Sequence, residues 1–342
     1  MTASACPNIA LIKYWGKRDE HLVLPCGDSV SMTLDVFPTT TTIRLNPEAE
    51  ADTVMIGGVG AAGEVRRRVV AFLDLVRGMA GRADAAVVET RNTVPTGAGL
   101  ASSASGFAAL ALASATAYGL DLDATALSRL ARRGSGSAAR SIFGGFAIWH
   151  AGKGTGTTAA DLSSYAEPLP ALAPELDPVL VIALLNTAPK AISSRAAMRH
   201  TVKTSPLYEA WAMSSKHDLI EMRTALAGGD LHTVGEVAER NALGMHATML
   251  AARPAVRYLA PATLAVLDGV TQLRRDGVPA YATIDAGPNV KVLCRRADAA
   301  QVATAVRAAA AHDTNHTACP VVIAGPGPGA SLRADQDAQA GR

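Results

Sequence analysis

A helix that is apolar on every side most constrains how this chain can fold. Residues 101–118 are mostly Ala, Leu, Ser and Phe, and Gly119 supplies a stop signal after them. A helix without a polar face has to be covered all round, because apolar surface is stabilised by its removal from water. The chain must therefore build layers around this helix, and its 342 residues suffice for one large domain or two ordinary ones.

Composition excludes several classes of protein. The net charge of +2 is too small to indicate nucleic acid as a partner. The sequence has no run of apolar residues long enough to span a membrane, and no signal peptide pattern at its start. The four cysteines form no CxxC pair, which disfavours a zinc knuckle or a disulfide framework. We predict a cytoplasmic protein that binds neither nucleic acid nor membrane.

Strand and helix patterns alternate in the first half of the chain. Residues 39–45 and 86–89 have strand composition, and between them apolar residues recur at helical spacing. The basic residues 66–68 lie on the other face of that helix, where either solvent or an anion is their partner. Residues 141–149 predict a strand bent at Gly144 and Gly145, and residues 179–185 predict a central strand.

Helical patterns dominate the second half of the chain, from residue 191 to about residue 275. Strands are expected over Tyr281–Ile284 and residues 290–294, on either side of a turn. This order predicts an α+β lobe. The polar residues 331–342 after it are expected to be a flexible tail.

The small residues that precede the buried helix predict an anion site. Residues 95–106 read Pro-Thr-Gly-Ala-Gly-Leu-Ala-Ser-Ser-Ala-Ser-Gly. Glycines let backbone N–H groups approach a phosphate, and the helix N-terminus adds roughly half a positive charge. A plain serine N-cap on a packed helix is the alternative, although the length of the run favours phosphate. The run lacks the Lys-Ser/Thr ending of a Walker A motif, so any assisting lysine must come from elsewhere.

Lys13 is the first candidate for that lysine. It follows the apolar, strand-like run Asn8–Ile12, where an ammonium group would be costly to bury without an anionic partner. Tyr14 and Lys17 follow closely and offer donors for a second anion. A solvated turn over residues 17–19 is the alternative interpretation.

Two further segments combine hydroxyl groups with an arginine. In residues 133–140, Gly and Ser alternate before Arg140, whose guanidinium can bind a carboxylate or phosphate through two parallel hydrogen bonds. Ser193 and Ser194 precede Arg195 in the same manner. The alternatives are a flexible linker for the first segment and an ordinary helix N-cap for the second.

Asp285 lies between a predicted strand and the turn residues Gly287 and Pro288. A carboxylate at a strand end can serve as a base or an orienting group, and a simple turn former is the alternative. His312, His316 and Cys319 are spaced faintly like metal ligands, but without a further Cys/His cluster we interpret that spacing as incidental.

Taken together, these segments resemble the mevalonate diphosphate decarboxylases of the GHMP kinase superfamily. The matching segments run in order along nearly the whole chain, over residues 8–19, 94–103, 133–140 with 143–146, 193–195 and 285–289. Lys-Tyr-Trp-Gly-Lys in the first segment and Asp-Ala-Gly-Pro-Asn in the last separate this group from other kinases of the superfamily. The resemblance implies a two-lobed α+β fold with the active site in the cleft, an ATP-binding lobe over residues 1–185 and a second lobe over residues 186–330.

The resemblance also implies a reaction and residue roles. Mevalonate 5-diphosphate and ATP, with Mg²⁺, would give isopentenyl diphosphate, ADP, phosphate and CO₂. Asp285 matches the aspartate that deprotonates or orients the 3-hydroxyl, Lys13 matches the lysine that keeps this carboxylate ionised, and Arg140 matches the arginine that grips the substrate carboxylate. Substrate binding is assigned to Asn8, Tyr14, Lys17, Ser135, Gly136, Ser137, Ser194 and Arg195. The ATP phosphate site is assigned to Pro95, Gly97, Ala98, Gly99, Leu100, Ala101, Ser102 and Ser103, with Ser103 also catalytic and a candidate Mg²⁺ ligand.

Departures from the family pattern leave alternatives open. Ile284 and Met245 stand where aromatic residues are common, and Cys26-Gly27 stands where Leu-Asn is usual. These differences allow mevalonate monophosphate as the substrate, or a kinase that phosphorylates without decarboxylation. A ligand sensor that kept the fold would have lost Lys13 or Asp285, and both are present. We expect a homodimer.

Overall fold

The computed structural model describes residues 1–93, 102–169, 173–186, 191–311 and 319–334. The α-helices in these ranges are α1 (Gly63–Ala80), α2 (Ser102–Ala117), α3 (Ala124–Gly134), α4 (Thr158–Leu162), α5 (Ser194–Thr204), α6 (Tyr208–Gly228), α7 (Leu231–Leu250), α8 (Pro261–Arg275) and α9 (Ala299–Ala311). Short 3-10 helices cover Gly136–Ile142, Pro174–Leu176 and Arg296–Asp298.

The strands in the same ranges are β1 (Thr2–Ala5), β2 (Asn8–Ile12), β3 (Lys17–Asp19), β4 (Leu24–Pro25), β5 (Ser29–Thr33), β6 (Thr39–Asn46), β7 (Thr53–Ile56), β8 (Val59–Gly60), β9 (Ala85–Asn92), β10 (Phe146–Trp149), β11 (Ala166–Pro168), β12 (Pro178–Ala183), β13 (Tyr281–Ile284), β14 (Val290–Arg295), β15 (Val321–Ala324) and β16 (Ser331–Arg333). They form a six-stranded sheet in the order β16-β1-β6-β9-β7-β8, a four-stranded sheet in the order β11-β10-β5-β2, a second four-stranded sheet in the order β13-β14-β12-β15, and the ribbon β3-β4.

Helix α2 is buried as its composition predicts. Ala108, Leu110 and Ala111 lie in one core with Phe72 and Leu73 of α1, beneath the six-stranded sheet. Small alanine side chains let α2 approach its neighbours closely, and this packing fixes where the first turn of the helix points. The turn begins at Ser102, on the side of the molecule that carries the site residues described below.

Strand β12 is buried on both faces, which explains its unbroken run of apolar residues. Leu180 and Ile182 face the core formed with α6 and α7, whereas Val179 and Val181 face the core formed with α8 and α9. The first of these cores also contains apolar residues of β2 and β5. Helices α6 and α7 are therefore packed between the two four-stranded sheets and tie the halves of the chain together.

Two segments differ from the sequence interpretation. Residues 141–149 are not one bent strand, because Ser141 and Ile142 end a 3-10 helix and Gly145, at φ 61°, turns the chain into β10. The 3-10 helix forms because its buried residues pack inward, where Arg140 reaches hydroxyl and amide partners on β2 and β5.

The first residues of the predicted tail, Ser331–Arg333, form strand β16. Ser331–Arg333 pairs antiparallel with β1, which satisfies backbone groups that would otherwise remain open at the sheet edge. Residues 335–342 lie outside the described ranges. Strand β12, which falls within the predicted first lobe, is paired with β14 and β15 of the second. A lobe boundary at residue 185 stays a prediction.

Candidate active site

The ends of two strands from different halves of the chain meet at Lys13 and Asp285. Lys13 follows β2 and Asp285 follows β13, and Lys13 Nζ lies 2.8 Å from Asp285 Oδ1. Lys13 also donates to the carbonyl oxygen of Ala10 at 2.8 Å. The Lys13 side chain is only 2% exposed, whereas that of Asp285 is 26% exposed. The carboxylate therefore keeps one open side beside a buried ammonium group.

A second lysine, which the sequence interpretation missed, binds the other carboxylate oxygen. Lys291 on β14 places its Nζ 3.1 Å from Asp285 Oδ2, and its side chain is 1% exposed. The signal in the sequence was a lysine among the apolar residues of a predicted strand, the same signal that singled out Lys13. Asp285 is thus held between two buried ammonium groups.

The two lysines determine the protonation of Asp285. Burial by itself raises the pKa of the Asp285 carboxyl, but the charges and hydrogen bonds of Lys13 and Lys291 outweigh it and hold the pKa well below its usual range. Burial also lowers the pKa of Lys13 to about 8, against the opposing effect of Asp285, and the charges of Lys291 and Arg140 lower it further. At neutral pH the Lys13–Asp285 pair is ionised.

Arg140 is a buried cation whose hydrogen-bond partners are neutral. It is 2% exposed. Its Nε donates to Ser31 Oγ at 2.8 Å, its Nη1 donates to Ser29 Oγ, and its Nη2 donates to Asn8 Oδ1 at 3.2 Å. Among the described residues, no carboxylate forms a salt bridge with it. Burial lowers the pKa of Arg140 to about 10, so it stays charged and would be stabilised by an anion.

Asn8 fixes the Arg140 guanidinium from the opposite side. Its Nδ2 donates to the carbonyl oxygen of Ser137 at 2.9 Å and to Ser141 Oγ at 2.8 Å, which leaves Oδ1 to accept from Arg140. These bonds join β2 to the 3-10 helix. The structure therefore brings Asn8 next to Arg140, where it orients the arginine.

Tyr14 and Gly136 form one wall beside this helix. The Tyr14 ring packs edge-on against Trp149, with ring centroids 4.7 Å apart. A Cβ atom on Gly136 would lie 2.8 Å from both rings, so only glycine fits. The Tyr14 hydroxyl is buried and has no hydrogen-bond partner within the described part of the chain. It is an available donor for an anion, and burial raises its pKa far above the usual range.

Ser135 connects this wall to the start of α2. Its hydroxyl donates to Ser103 Oγ at 3.2 Å, and both side chains reach the surface. Arg68 of α1 lies over the Phe107 ring, 4.9 Å from its centroid, and donates to the carbonyl oxygen of Gly134 at 3.0 Å. One arginine of the basic run 66–68 therefore supports the loop that carries Ser135.

Helix α5 carries two of the predicted substrate-binding residues, Ser194 and Arg195. Ser193 caps this helix by accepting from the backbone N–H of Ala196 at 3.2 Å, which confirms the N-cap interpretation, and Ser194 begins it. Lys17 Nζ is paired with Glu20 at 2.6 Å. Burial lowers the pKa of Lys17, and the charges of Arg195 and Arg199 act in the same direction. Arg195 and Arg199 are exposed on α5. Arg199 is an addition that the sequence interpretation missed.

The predicted nucleotide loop is described only from Ser102 onward. Pro95, Gly97, Ala98, Gly99, Leu100 and Ala101 lie outside the described residues. Ser102 and Ser103 are exposed in the first turn of α2. Within the ranges that the structure describes, no three His, Cys, Asp or Glu side chains lie together as metal ligands. Hydroxyl groups such as that of Ser103 are the protein donors that fit a Mg²⁺ ion carried by phosphates.

Helix α7 positions both halves of the Lys13–Asp285 pair. Asn241 Oδ1 accepts from the backbone N–H of Lys13 at 2.9 Å, and His246 Nε2 lies 3.2 Å from the carbonyl oxygen of Asp285. Burial lowers the pKa of His246 to about 4, with the charge of Lys13 acting in the same direction, so the ring is neutral and donates this bond. The sequence interpretation missed Asn241.

Comparison with known proteins places this site in a family. Residues 5–165 match the diphosphomevalonate decarboxylase-like N-terminal domain, and residues 180–326 match the mevalonate 5-diphosphate decarboxylase C-terminal domain. A diphosphomevalonate decarboxylase of Ganoderma lucidum is 34% identical over 85% of this chain and 77% of that protein. The chain belongs to the diphosphomevalonate decarboxylase family. The predicted family is confirmed.

Two further proteins are similar to this chain over most of its length. A phosphomevalonate decarboxylase of Haloferax volcanii is 33% identical over 85% of this chain and 87% of that protein. The solved structure of MDDEF in complex with MVAPP, AMPPCP and magnesium is 43% identical in sequence and has a TM-score of 0.89. The match covers 97% of this chain and 98% of that one. This similarity confirms the predicted α+β fold. In the described part of this chain, no helix has the length and apolar character needed to cross a membrane.

Proposed function

We propose that this chain catalyses the ATP- and Mg²⁺-dependent decarboxylation of mevalonate 5-diphosphate to isopentenyl diphosphate. ADP, phosphate and CO₂ are the other products. The observation that carries the proposal is the ionised Lys13–Asp285 pair, 2.8 Å apart, in the same site as a buried Arg140 with neutral partners. Membership of the decarboxylase family supports the same reaction.

Asp285 acts on the tertiary 3-hydroxyl group of the substrate. Its open side accepts the hydroxyl hydrogen bond, and it takes the proton as the oxygen bonds to the terminal phosphorus of ATP. The bond from that phosphorus to the bridging oxygen breaks, and ADP leaves with the electron pair. Because the two lysines hold its pKa low, Asp285 contributes more by orienting the hydroxyl than by its basicity. Lys13 stabilises the charge on the transferred phosphoryl group, as phosphoryl transfer depends mainly on positioning and electrostatics.

Arg140 positions the substrate carboxylate for the second step. The C–O bond to the new phosphate breaks and phosphate leaves with its electron pair. The electrons of the C–C bond to the carboxylate then form the alkene, and CO₂ departs. Asn8 and Ser31 fix the plane of the Arg140 guanidinium. Arg140 therefore holds the substrate carboxylate in one orientation, as the one cation assigned to it. That restraint matters because a strongly stabilised carboxylate would resist conversion to neutral CO₂.

The diphosphate of the substrate is assigned to the donors near α5 and the 3-10 helix. The Tyr14 hydroxyl, which has no partner among the described residues, and the exposed Arg195 guanidinium support this assignment. The ammonium group of Lys17 is a third donor. The other proposed contacts are Ser135, Gly136, Ser137 and Ser194.

The phosphates of ATP are assigned to the start of α2. Ser102 and Ser103 present hydroxyl groups and the first turn of the helix there, and Ser103 lies beside Ser135. Mg²⁺, when bound, neutralises charge on the phosphate oxygens. Ser103 would hold the ion from the protein side, while Ser135 links this region to the diphosphate donors.

Product stoichiometry tests the reaction. The enzyme is supplied with ATP, Mg²⁺ and either mevalonate 5-diphosphate or mevalonate 5-phosphate, and ADP and CO₂ are measured together. We expect one CO₂ for each ADP with the diphosphate and a much lower kcat/KM with the monophosphate. ADP without CO₂ would show a kinase, and a preference for the monophosphate would place the enzyme with the Haloferax volcanii relative.

We also propose a cytoplasmic homodimer. Free thiols at all four cysteines fit a reducing compartment. Met213 and Ile220 of α6 are exposed apolar residues seven positions apart, and Leu243 and Leu250 of α7 repeat that spacing. Such pairs lie on one stripe of each helix and could cover one another in a second copy. Light scattering of the purified protein should give a mass near 70 kDa, twice the 35.1 kDa of one chain, and a mass near that of one chain would exclude the dimer.

A further inference from the structure

The carboxylate of Asp285 has more positive charge around it than its own ionisation requires. Lys13 already pairs with Oδ1 at 2.8 Å, and a single buried lysine neutralises a carboxylate. Lys291 nevertheless reaches Oδ2 at 3.1 Å, and it also donates to the carbonyl oxygen of Asn289 at 3.3 Å. A second buried ammonium group is costly to remove from water. The stability of the fold therefore does not explain Lys291.

The two lysines occupy different positions relative to the open side of the carboxylate. Lys13 directly follows β2, in the half of the chain that also contains Arg140. Lys291 lies on β14, which forms a hairpin with β13 around the Asp285 turn. Pairing of Thr283 with Lys291 fixes this lysine in the same hairpin as the carboxylate. Lys291 therefore moves with Asp285, and Lys13 belongs to the opposite wall of the site.

We propose that Lys291 is a positioning residue, which holds Oδ2 of Asp285 so that the carboxylate stays oriented when Lys13 turns toward the transferred phosphoryl group. This role rests on the proposed decarboxylase reaction. Lys13 has to serve two partners in turn, and a carboxylate held by Lys13 alone would rotate or take up a proton when that lysine moved. Lys291 supplies the fixed partner.

The charged groups around the Lys13–Asp285 pair predict a specific pH dependence of activity when Lys291 is removed. Lys13 approaches from β2, Lys291 from β14 and Arg140 from the 3-10 helix, while His246 of α7 is neutral. Lys291 lowers the pKa of both Asp285 and Lys13. Its removal therefore raises the pKa of Lys13, so the alkaline limb of the pH profile moves to higher pH. General loosening of the site would lower activity without moving this limb to higher pH.

The test compares Lys291→Met and Lys291→Arg with the wild-type enzyme. We expect Lys291→Met to lower kcat on the order of 10- to 100-fold, as expected for loss of a hydrogen bond to a charged group, with little change in KM for mevalonate 5-diphosphate. The alkaline limb of its kcat/KM profile should move to higher pH. Lys291→Arg keeps the charge and should restore much of kcat and the wild-type limb.

The matched control is Arg295→Gln, which removes an exposed cation from the far end of the same strand. It should leave kcat and the pH profile unchanged. Thermal unfolding checks that Lys291→Met is folded, and the unchanged KM is a second check. An unshifted profile or wild-type kcat in folded Lys291→Met would overturn the role of Lys291. Absence of CO₂ release by the wild-type enzyme would instead overturn the proposed function.

Discussion

Lys13 Nζ and Asp285 Oδ1 lie 2.8 Å apart, although 272 positions separate the two residues in the sequence. Each residue follows a strand, and each strand belongs to a different sheet. Helix α7 bonds to the backbone of both residues, through Asn241 to Lys13 and through His246 to Asp285. One helix thus sets the distance between the lysine and the carboxylate on which the proposed chemistry depends.

The pH dependence of the wild-type enzyme should report Lys13. Its pKa is lowered to about 8, so its positive charge is fully present well below that pH and is lost as the pH rises through it. We expect kcat/KM, which reports the free enzyme, to fall about tenfold per pH unit on the alkaline side. Lys13→Arg should retain some activity and lack this limb, because guanidinium stays protonated there. The same alkaline limb in Lys13→Arg would assign it to another group.

Arg140→Lys should lose activity although its charge is kept. The planar fork donates to Asn8 and Ser31 at the same time, and a lysine cannot reproduce that geometry. We expect kcat to fall on the order of 100-fold, measured as CO₂ release. Arg132→Lys is the control, because Arg132 is also fully buried but pairs with Asp161, a residue to which no role in the reaction is assigned. That variant should lower Tm and keep kcat, and equal kcat losses in the two variants would contradict the assignment.

Gly136→Ala should weaken substrate binding. The new Cβ would lie 2.8 Å from the rings of Tyr14 and Trp149, so the wall must shift. Overpacking of this kind costs about 1–3 kcal/mol. We expect KM for mevalonate 5-diphosphate to rise at least about tenfold, because Tyr14 is displaced from the proposed diphosphate site. Gly78→Ala in α1 has open space around it and should leave KM unchanged. An unchanged KM in folded Gly136→Ala would remove this wall from the diphosphate site.

The local sequence was sufficient to predict the helices and strands that are covered by apolar neighbours on every face. Helix α2 and strand β12 are buried on all sides, so their apolar runs identified them directly. The Gly-Ser segment before Arg140 was harder, because its composition suits a linker and only the buried partners of Arg140 turn it into a 3-10 helix. Burial by distant residues is not visible in the local sequence.

Site residues were predictable where a motif carried them. Lys13 and Asp285 stood out because each places a charge at the end of an apolar run. Lys291 was missed because its role depends on the register of the β13–β14 hairpin, which sets it opposite Thr283. Asn241 was missed because it acts through the packing of α7 against β2. Both contacts arise from tertiary geometry.

The most direct measurement of the central claim is the simultaneous release of ADP and CO₂ by Asp285→Asn, with ATP, Mg²⁺ and mevalonate 5-diphosphate. Asparagine keeps the shape but removes the negative charge that Lys13 and Lys291 hold in place. We expect both products to fall together by on the order of 10³-fold, because the hydroxyl is no longer oriented or deprotonated. Thermal unfolding should show that the variant is folded. Wild-type rates of ADP and CO₂ release in folded Asp285→Asn would contradict the account.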